Sequence, residues 1–338
     1  MTKTGLTKMR NLSDQLTIVM YHYVRDLEGS KYPGIKGITV SQFEGQIDYL
    51  ARHYTFVSAD DLIAALGSED KQLPRNAVLL TFDDGYLDHF TNAFPILKRK
   101  GIPGCFYPPG KAIIERQVLD VNKIQFVLAV EHDTAALIRD ITSILDEFRL
   151  QFGLESNEEY RRRFAVPSRY DDENIKFIKS LLQKGLPADC RAQITDLLFQ
   201  RYVTKDESGF AAELYMTSDQ LRCLQDQGMH IGSHSYDHKW LDTLPPKEQE
   251  SQVDQSLGFL GELRCPEDRW SFNYPYGGYD VSMLSLLREK GVKFGLSTQV
   301  DIANLKKHDP LLLPRLDTND LPRERDAQPN EWTAKVVE

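Results

Sequence analysis

The sequence contains no apolar run near the roughly 20 residues that a helix needs to cross a bilayer. Its N-terminal stretch, MTKTGLTKMRNLSDQ, lacks the apolar segment of a secretory signal peptide. Positive charge is not in excess either, because 41 Lys and Arg residues stand against 50 Asp and Glu residues, for a net charge of −9. The average field therefore repels nucleic acids and anionic lipids. These absences predict a cytoplasmic protein with no membrane span and no nucleic-acid partner.

Cysteine is also scarce. The four cysteines are Cys105, Cys190, Cys223 and Cys265. They lie far apart and form no Cys-x-x-Cys pair, which argues against a zinc–thiolate cluster, a redox motif and a disulfide scaffold. Hydrophobic residues make up 41% of the 338 residues, enough for a globular protein with a substantial core. Any functional chemistry must therefore come from other side chains.

Short apolar runs alternate with segments of helical periodicity. We predict strands at 16–24, 54–58, 77–82, 104–108, 229–233, 270–275, 292–297 and 311–316. Gly101, Gly228 and Gly291 each follow a predicted helix and precede a strand, where a left-handed helix end is expected. The alternation predicts an α/β fold with a parallel sheet. Because the motifs described below follow predicted strands, we favour a (β/α) barrel, with an open doubly wound sheet as the alternative.

The alternation stops between residues 111 and 213, where apolar positions follow helical spacing almost throughout. We interpret this region as a helical insertion into a barrel formed by residues 1–110 and 214–320. The polar stretch 321–338 is interpreted as a poorly packed C-terminal tail. An insertion of this kind can act as a lid, an oligomerisation surface or an acceptor platform, and the sequence does not choose among these roles.

Asp83 and Asp84 belong to the sequence Thr-Phe-Asp-Asp-Gly-Tyr, 81–86, which directly follows the apolar residues 77–80. Two carboxylates at the end of a buried strand repel each other and resist burial unless a cation or a shared proton compensates them. A metal ion would provide that compensation. In the alternative interpretation, the Asp-Gly pair forms an ordinary turn and Asp83 caps the next helix.

His234 and His238 are four positions apart, just after the predicted strand at 229–233. On one face of a helical turn, two imidazoles at this spacing can bind one ion. The spacing alone is common by chance, and two ordinary histidines are the alternative. Two imidazoles and one carboxylate, however, complete a three-ligand catalytic metal site with a position open for water. The Asp pair would then also supply a base.

Residues 80–86, Leu-Thr-Phe-Asp-Asp-Gly-Tyr, and 232–238, Gly-Ser-His-Ser-Tyr-Asp-His, together resemble the first two motifs of the NodB-type polysaccharide deacetylases, carbohydrate esterase family 4. The resemblance covers residues 16–110 and 214–316 and leaves the insertion unexplained. It implies a distorted (β/α) barrel and a metal-dependent hydrolase that removes an N-acyl group, normally acetyl, from amino sugars. Zinc is the first candidate metal, with cobalt, nickel and manganese as alternatives.

The resemblance also implies roles for individual residues. The implied metal ligands are Asp84, His234 and His238. Asp83 would be the general base. A third family motif corresponds to residues 273–277, Asn-Tyr-Pro-Tyr-Gly, in which the backbone N–H of Tyr276 would help to hold the oxyanion.

The sequence departs from the family pattern at Asn273, where the family has an arginine that pairs with the base. Asp83 is therefore predicted to be a less acidic base than in the family, unless Arg315 takes the arginine's place. A surface position for Arg315 is the alternative. The family's C-terminal catalytic histidine is absent, but a permuted subset, the poly-N-acetylglucosamine deacetylases, carries this histidine on the first strand. Residues 20–24, Met-Tyr-His-Tyr-Val, resemble that element, which makes His22 the predicted catalytic acid.

The implied substrate is an N-acylated amino sugar, and a cytoplasmic location would favour a glycan precursor over a finished wall polymer. Tyr107, Tyr274 and Tyr276 lie near the motifs and could stack on sugar rings, although strand-end aromatics are as often ordinary packing. The acyl group could also be another one, such as formyl. A different interpretation, favoured by Asn273, is a catalytically inactive carbohydrate-binding or regulatory protein that retains the barrel and the metal.

Overall fold

The computed structural model of the protein describes residues 12–68, 70–167 and 171–337. The strands are β1 (Leu12–Ser13), β2 (Gln15–Tyr21), β3 (Thr55–Phe56), β4 (Leu73–Pro74), β5 (Ala77–Asp83), β6 (Cys105–Tyr107), β7 (His230–Ile231), β8 (Ser271–Asn273), β9 (Phe294–Leu296), β10 (Ala303–Asn304) and β11 (Leu316–Asp317). The expectation for the N-terminal stretch falls mainly on residues 1–11, which lie outside the described residues.

The α-helices are α1 (Val40–His53), α2 (Ala59–Gly67), α3 (Phe94–Lys100), α4 (Gly110–Ile114), α5 (Asp120–Val130), α6 (Thr134–Phe152), α7 (Asn157–Phe164), α8 (Glu173–Ser180), α9 (Ala188–Tyr202), α10 (Glu207–Leu214), α11 (Ser218–Asp226), α12 (Pro246–Glu262), α13 (Val281–Glu289) and α14 (Glu331–Val337). Two π-helical segments occupy His89–Ala93 and Leu181–Gly185. Within the described ranges, no helix is both long enough and apolar enough to span a membrane.

Seven strands of the described chain close into a parallel barrel in chain order. β2 pairs with β5, β5 with β6 and β6 with β7, and a bridge between Ser233 and Phe272 leads on to β8. β8 pairs with β9, a bridge between Leu296 and Leu313 continues the ring, and β11 returns to β2. The predicted distorted (β/α) barrel is confirmed and the open sheet is excluded. One predicted strand, 311–316, is largely replaced by a 3₁₀ turn at its start, and β11 begins only at its end.

Both faces of the barrel wall are buried, so its strands are mainly apolar. Alternate residues of a strand belong to different clusters. Val78, Leu80 and Phe82 of β5 pack with the surrounding helices. Leu79 instead joins an inner cluster to which β2, β6 and β9 also contribute. Asp83 is four positions after Leu79, so its side chain lies on the same, inner face of β5, and it is 2% exposed. A carboxylate therefore lies at the inner end of a fully buried strand.

Helix ends follow their sequence signals. α1 and α11 begin with capping boxes, in which the hydroxyls of Thr39 and Thr217 accept a hydrogen bond from the third backbone N–H of the helix. α3 ends at Gly101, which has a left-handed φ of 65°. Gly228 and Gly291 have φ values of 84° and 78°. The predicted left-handed helix ends are confirmed at all three glycines.

Helices α4 to α10 occupy the predicted insertion. A hydrophobic cluster of its own joins Ile124, Val127, Leu137, Ile141, Ile144, Leu145, Phe177, Ile178, Leu181, Leu182, Ile194 and Leu198. α5 is shared, because its residues Phe126 and Ala129 pack in the cluster of the barrel instead. The insertion is therefore helical, as predicted, and α5 is the layer that joins it to the barrel. The boundaries at 111 and 213 stay predictions.

The predicted poorly packed tail at 321–338 is anchored at two described residues, whereas the rest of its described part is exposed or half-buried. Leu321 is 4% exposed and Thr333, on α14, is fully buried. The hydroxyls of Tyr49 and Tyr54 donate to Oγ1 of Thr333 at 2.8 and 3.1 Å. Thr333 thereby satisfies two buried tyrosine hydroxyls, a role that composition alone does not reveal.

Candidate active site

Asp83 and Asp84 lie at the C-terminal end of β5, at the mouth of the barrel. Asp83 is the last residue of the strand, whereas Asp84 and Gly85 have left-handed φ values of 71° and 67° and turn the chain sharply. Both aspartates are 2% exposed. The alternative in which Asp83 caps the following helix is wrong, because its carboxylate bonds to Arg315 and the helical segment that follows has no side-chain cap.

Arg315 lies inside the barrel and provides the cation that Asn273 lacks. Its Nη1 donates to Oδ1 of Asp83 at 2.9 Å and its Nη2 to Oδ1 of Asn273 at 2.8 Å. The surface alternative for Arg315, which is 2% exposed, is therefore wrong. Burial raises the pKa of Asp83, but the charge of Arg315, followed by those of His234 and His22, outweighs burial and lowers it to about 2. The prediction that Asp83 is a less acidic base assumed that no cation replaces the family arginine, and Arg315 replaces it.

Asp84, His234 and His238 come together beside this pair. Oδ1 of Asp84 lies 3.4 Å from Nε2 of His234 and 3.3 Å from Nε2 of His238. One ligand atom from each residue lies within 4.8 Å of the others. Ligand atoms placed about 2.0–2.1 Å from a tetrahedral ion are about 3.3 Å apart. The three side chains therefore have the spacing of ligands around one small cation.

The donor set also fits a cation electrostatically. Nδ1 of His234 lies 2.8 Å from the carbonyl oxygen of Asn273, and because a carbonyl only accepts, Nδ1 carries the proton and Nε2 faces Asp84. Burial lowers the pKa of His238. Burial raises the pKa of Asp84, but its contacts with the two imidazoles hold it well below the ordinary value. Oδ1 of Asp84 has no hydrogen-bond partner among the described residues. Positive charge between these atoms is what the cluster requires.

The prediction that His234 and His238 share a helical turn is wrong. Residues 234–238 form a bend, in which Ser235 and His238 have φ values of 62° and 50°. Of the seven described non-glycine residues with positive φ, four belong to the site: Asp84, Ser235, His238 and Tyr276. Each such conformation costs on the order of 1–3 kcal/mol, so the surrounding fold holds these residues in place.

His22 and Tyr276 flank the cluster, as predicted. His22 follows β2, and its Nε2 lies 3.9 Å from Oδ2 of Asp83, with 36% of the side chain exposed to solvent. Its carbonyl oxygen is held at 2.7 Å by Nε2 of His89. Tyr276 follows β8, and its ring meets that of His238 edge to face at 4.7 Å. The backbone N–H of Tyr276 makes no hydrogen bond to another described residue.

A cleft of about 340 Å³ contains these side chains. Its barrel side is formed by His22, Asp83, Asp84, His234, His238, Trp240, Tyr274, Tyr276 and Arg315, and its opposite side by Val121, Ile124, Gln125, Lys176, Lys179 and Gln183 of the insertion. A second cavity of about 250 Å³ adjoins it and shares His238, Trp240 and Tyr276. The rings of Trp240 and Tyr276 stack in parallel at 4.7 Å. The cleft is thus a seam between barrel and insertion, with an aromatic pair at its centre.

Tyr107 is not part of the cleft, so its predicted contact with sugar is wrong. It lies inside the barrel with no exposure, and its hydroxyl accepts a hydrogen bond from Ser271 at 3.2 Å. Its aromatic ring is core packing. Sequence reasoning missed Trp240, and it missed Tyr86, whose hydroxyl donates to Oδ2 of Asp84 at 2.6 Å. Both residues lie in or just after the quoted motifs, which is the signal that could have identified them.

A protein-family model described as polysaccharide deacetylase matches residues 70–139 and 193–295, just over half of the chain. The chain belongs to this family, as the motifs predicted. A curated relative, "Putative polysaccharide deacetylase YxkH" of Bacillus subtilis (strain 168), is 28% identical over 99 residues. That alignment covers 29% of this chain and 33% of the relative, so the chain matches about a third of the relative's length.

Solved deacetylase structures share the fold. The Streptococcus pyogenes deacetylase PplD, solved in complex with acetate, matches with a TM-score of 0.57 at 17% identity, over 96% of this chain and 98% of that one. IcaB from Ammonifex degensii matches with a TM-score of 0.53 at 18% identity, over 97% and 99% of the two chains. At these identities the likeness shows the fold alone, and it extends across the insertion as well as the barrel.

Proposed function

We propose that this protein is a metal-dependent carbohydrate N-deacetylase, which hydrolyses the amide of an N-acyl, normally N-acetyl, amino sugar in a glycan or glycan precursor. One observation carries the proposal. A buried oxygen of Asp84 without a hydrogen-bond partner faces two imidazole nitrogens at 3.3 and 3.4 Å, at the bottom of a cleft that also holds a second carboxylate. Family membership supports the same chemistry.

Asp84, His234 and His238 would hold the divalent cation. Two imidazoles and one carboxylate at tetrahedral spacing leave one position open, which is the arrangement of catalytic zinc sites. Zinc is therefore the first candidate, and cobalt, nickel and manganese accept the same ligand types. When bound, such an ion supplies Lewis-acid activation of a water molecule and of the acyl oxygen.

Asp83 is the proposed general base. Arg315 holds its Oδ1, whereas its Oδ2 lies toward His22 and the cleft. With a pKa of about 2, the carboxylate is ionised at any ordinary working pH. A carboxylate with so low a pKa is a weak base, so it accepts a proton only from a water molecule that has been made unusually acidic. This division of labour explains why the base and the cation site lie next to each other.

His22 and Tyr276 supply the remaining two functions. His22 is partly exposed at the cleft and can deliver a proton to the departing sugar nitrogen, a contribution of about 10²–10⁴ in rate. The unbonded N–H of Tyr276 can donate to the oxyanion of the tetrahedral intermediate. A donor of this kind contributes about 3 kcal/mol to transition-state stabilisation.

The two adjoining cavities suggest how a glycan would lie. Their volumes of about 340 and 250 Å³ are each near the lower end for ligand pockets, so the seam has room for more than one sugar. Trp240 stands where they meet, with Nζ of Lys184 4.6 Å from its ring centroid. Because this ring already contacts Tyr276 and Lys184, a glycan would instead meet the polar side chains with which the insertion lines the cleft, Lys176, Lys179 and Gln183. We therefore assign the insertion the role of an acceptor platform. An oligomerisation role for it stays a prediction.

The alternative of an inactive binding or regulatory protein rested on the missing arginine at Asn273. Arg315, which directly precedes β11, donates to Asp83, and the proposed base, acid and ligands line one cleft. No observation therefore favours the inactive alternative. A formyl or other small acyl group remains compatible with the same chemistry, since the residues described act on the amide carbonyl and nitrogen.

The decisive experiment uses the purified full chain. We expect it to contain about one divalent metal per chain and to release free amine from N-acetylated chito-oligosaccharides. A chelator should abolish the release, and added zinc or cobalt should restore it. His22→Ala should keep the metal and lose turnover by about 10²–10⁴. Metal-loaded protein that releases no amine from acetylated or formylated amino sugars would refute the proposal.

A further inference from the structure

A directed chain of hydrogen bonds connects the insertion to the second oxygen of Asp84. Oδ2 of Asp84 accepts a hydrogen bond from the hydroxyl of Tyr86 at 2.6 Å. The hydroxyl oxygen of Tyr86 in turn accepts a hydrogen bond from Nδ2 of Asn122, also at 2.6 Å. Oδ1 of Asn122 accepts a hydrogen bond from the hydroxyl of Tyr215. The hydroxyl oxygen of Tyr215 accepts a hydrogen bond from the backbone N–H of Leu119 at 3.0 Å. All of these side chains are at most 3% exposed. Asn122 belongs to α5 of the insertion.

Only one arrangement of protons satisfies this chain. Tyr86 has a single hydroxyl proton, and it donates that proton to Oδ2 of Asp84. The oxygen of Tyr86 then needs a donor, which the amide nitrogen of Asn122 provides. The amide oxygen in turn faces Tyr215, which donates because its own oxygen already receives an N–H. Every donor therefore points toward the carboxylate, and aligned hydrogen bonds in a buried site reinforce one another.

The chain leaves the two oxygens of Asp84 in different situations. Oδ2 is held by Tyr86, whereas Oδ1 accepts no hydrogen bond from the part of the chain that the structure describes and faces His234 and His238. We propose that Tyr86 and Asn122 are positioning residues that make Asp84 a one-oxygen metal ligand of fixed orientation, and that α5 of the insertion is thereby part of the metal site. This inference rests on the metal site of the proposed function.

The surroundings of Tyr86 support a positioning role. The ring of Tyr23 stacks on that of Tyr86 at 4.0 Å, which prevents rotation of the phenol. The hydroxyl of Tyr23 donates to Gln125 at 2.8 Å and accepts a bond from Asn122 at 3.1 Å. Gln125, also on α5, lines the cleft. One helix thus supports the metal ligand with Asn122 and contacts the cleft with a neighbouring side chain.

Tyr86→Phe tests the inference, because it removes only the hydroxyl that Asp84 accepts. The loss of a hydrogen bond to a metal ligand typically weakens metal affinity by about 10–100-fold. The measurement is competition between the full-length protein and a chelator for zinc, with the thermal unfolding midpoint recorded for each variant. Tyr23→Phe is the matched control. It removes an equally buried hydroxyl from the same network without touching Asp84, and its zinc affinity should be that of the wild type.

Substitutions at Asn122 test the direction of the chain. Asn122→Ala should weaken zinc binding less than Tyr86→Phe does, because the Tyr86 hydroxyl remains. Asn122→Asp replaces the amide donor by an acceptor that competes for the Tyr86 proton, so it should weaken zinc binding more than Asn122→Ala. These variants also cover the case in which Tyr86→Phe does not fold.

Two results would overturn the positioning role. One is zinc affinity in Tyr86→Phe equal to that of the wild type, and the other is equal weakening in Tyr86→Phe and Tyr23→Phe, which would mark the network as structural. The failure of the proposed function looks different. In that case, the wild-type protein itself would bind no divalent metal, before any variant is compared.

Discussion

Asp83 and Asp84 are adjacent in the sequence and equally buried, yet their surroundings differ. Asp83 lies on the barrel side of the site, where Arg315 carries a permanent positive charge at 2.9 Å. Asp84 lies on the loop side, where it faces two imidazoles whose charge depends on a proton. The described residues give the first carboxylate a permanent counter-charge, whereas the second contacts a hydroxyl and two imidazoles. This difference agrees with the proposed roles, in which Asp83 accepts a proton and Asp84 binds a cation.

Asp84→Ala should have the largest effect, because it removes the anionic ligand of the cation site. We expect loss of metal binding and of activity. We also expect loss of the stabilisation by metal, which is about 4 kcal/mol when zinc is present at a thousandfold excess over its Kd. Thermal unfolding with and without chelator measures this directly. A midpoint in the variant that still falls on chelation would show that the cation lies elsewhere.

Asp83→Asn should separate the two sides of the site. The amide cannot accept the proton, so turnover should fall by about 10²–10⁴, whereas zinc should remain bound because none of its ligands has changed. Metal content and single-turnover rates on the same preparation provide the comparison. A variant that loses its metal together with its activity would contradict the separate roles of the two aspartates.

Arg315→Met should alter the surroundings of Asp83 and not those of Asp84. Removal of one partner from a buried ion pair costs about 3–5 kcal/mol of unfolding free energy, and the pKa of Asp83 should rise because burial is then less opposed. Urea unfolding measures the loss. The double variant Arg315→Met/Asp83→Asn should recover much of it, since no uncompensated charge remains. No recovery would mean that Arg315 acts through its other hydrogen bonds, to Thr81, Asn273 and the carbonyl oxygen of Ser297.

The smallest expected effect concerns pH. The pKa of Asp83 is lowered to about 2 in the folded protein, so its stabilising contribution is present above the ordinary value and is lost as pH falls through about 4 toward 2. Between pH 5 and pH 3 this loss amounts to about 1 kcal/mol. Urea unfolding in the presence of chelator measures this loss. Between pH 5 and pH 3, the unfolding free energy of Asp83→Asn should fall by about 1 kcal/mol less than that of the wild type. Equal drops in both proteins would place the pKa of Asp83 near its ordinary value.

Much of the site could be predicted from short segments. Asp83, Asp84, His234 and His238 stand in two runs of seven residues or fewer whose order is recognisable, and His22 in a third. The geometry that brings the two histidines together could not be predicted. Their bend depends on a left-handed backbone conformation that non-glycine residues seldom adopt. Tyr107 was misassigned for a related reason. The side of the barrel wall on which a strand-end aromatic lies is known only once the barrel is closed.

Local patterns were sufficient for the alternation of strands and helices, the barrel class and the helical nature of the insertion. These features depend on hydrophobic period and on turn residues, which act between near neighbours. The partner of Asp83, 232 residues away in the chain, is decided only by barrel closure. The bonds that join Asn122 to Tyr86 and Thr333 to Tyr49 likewise require packed elements. Buried polar groups are satisfied by whatever the fold places beside them, and that placement is a property of the whole chain.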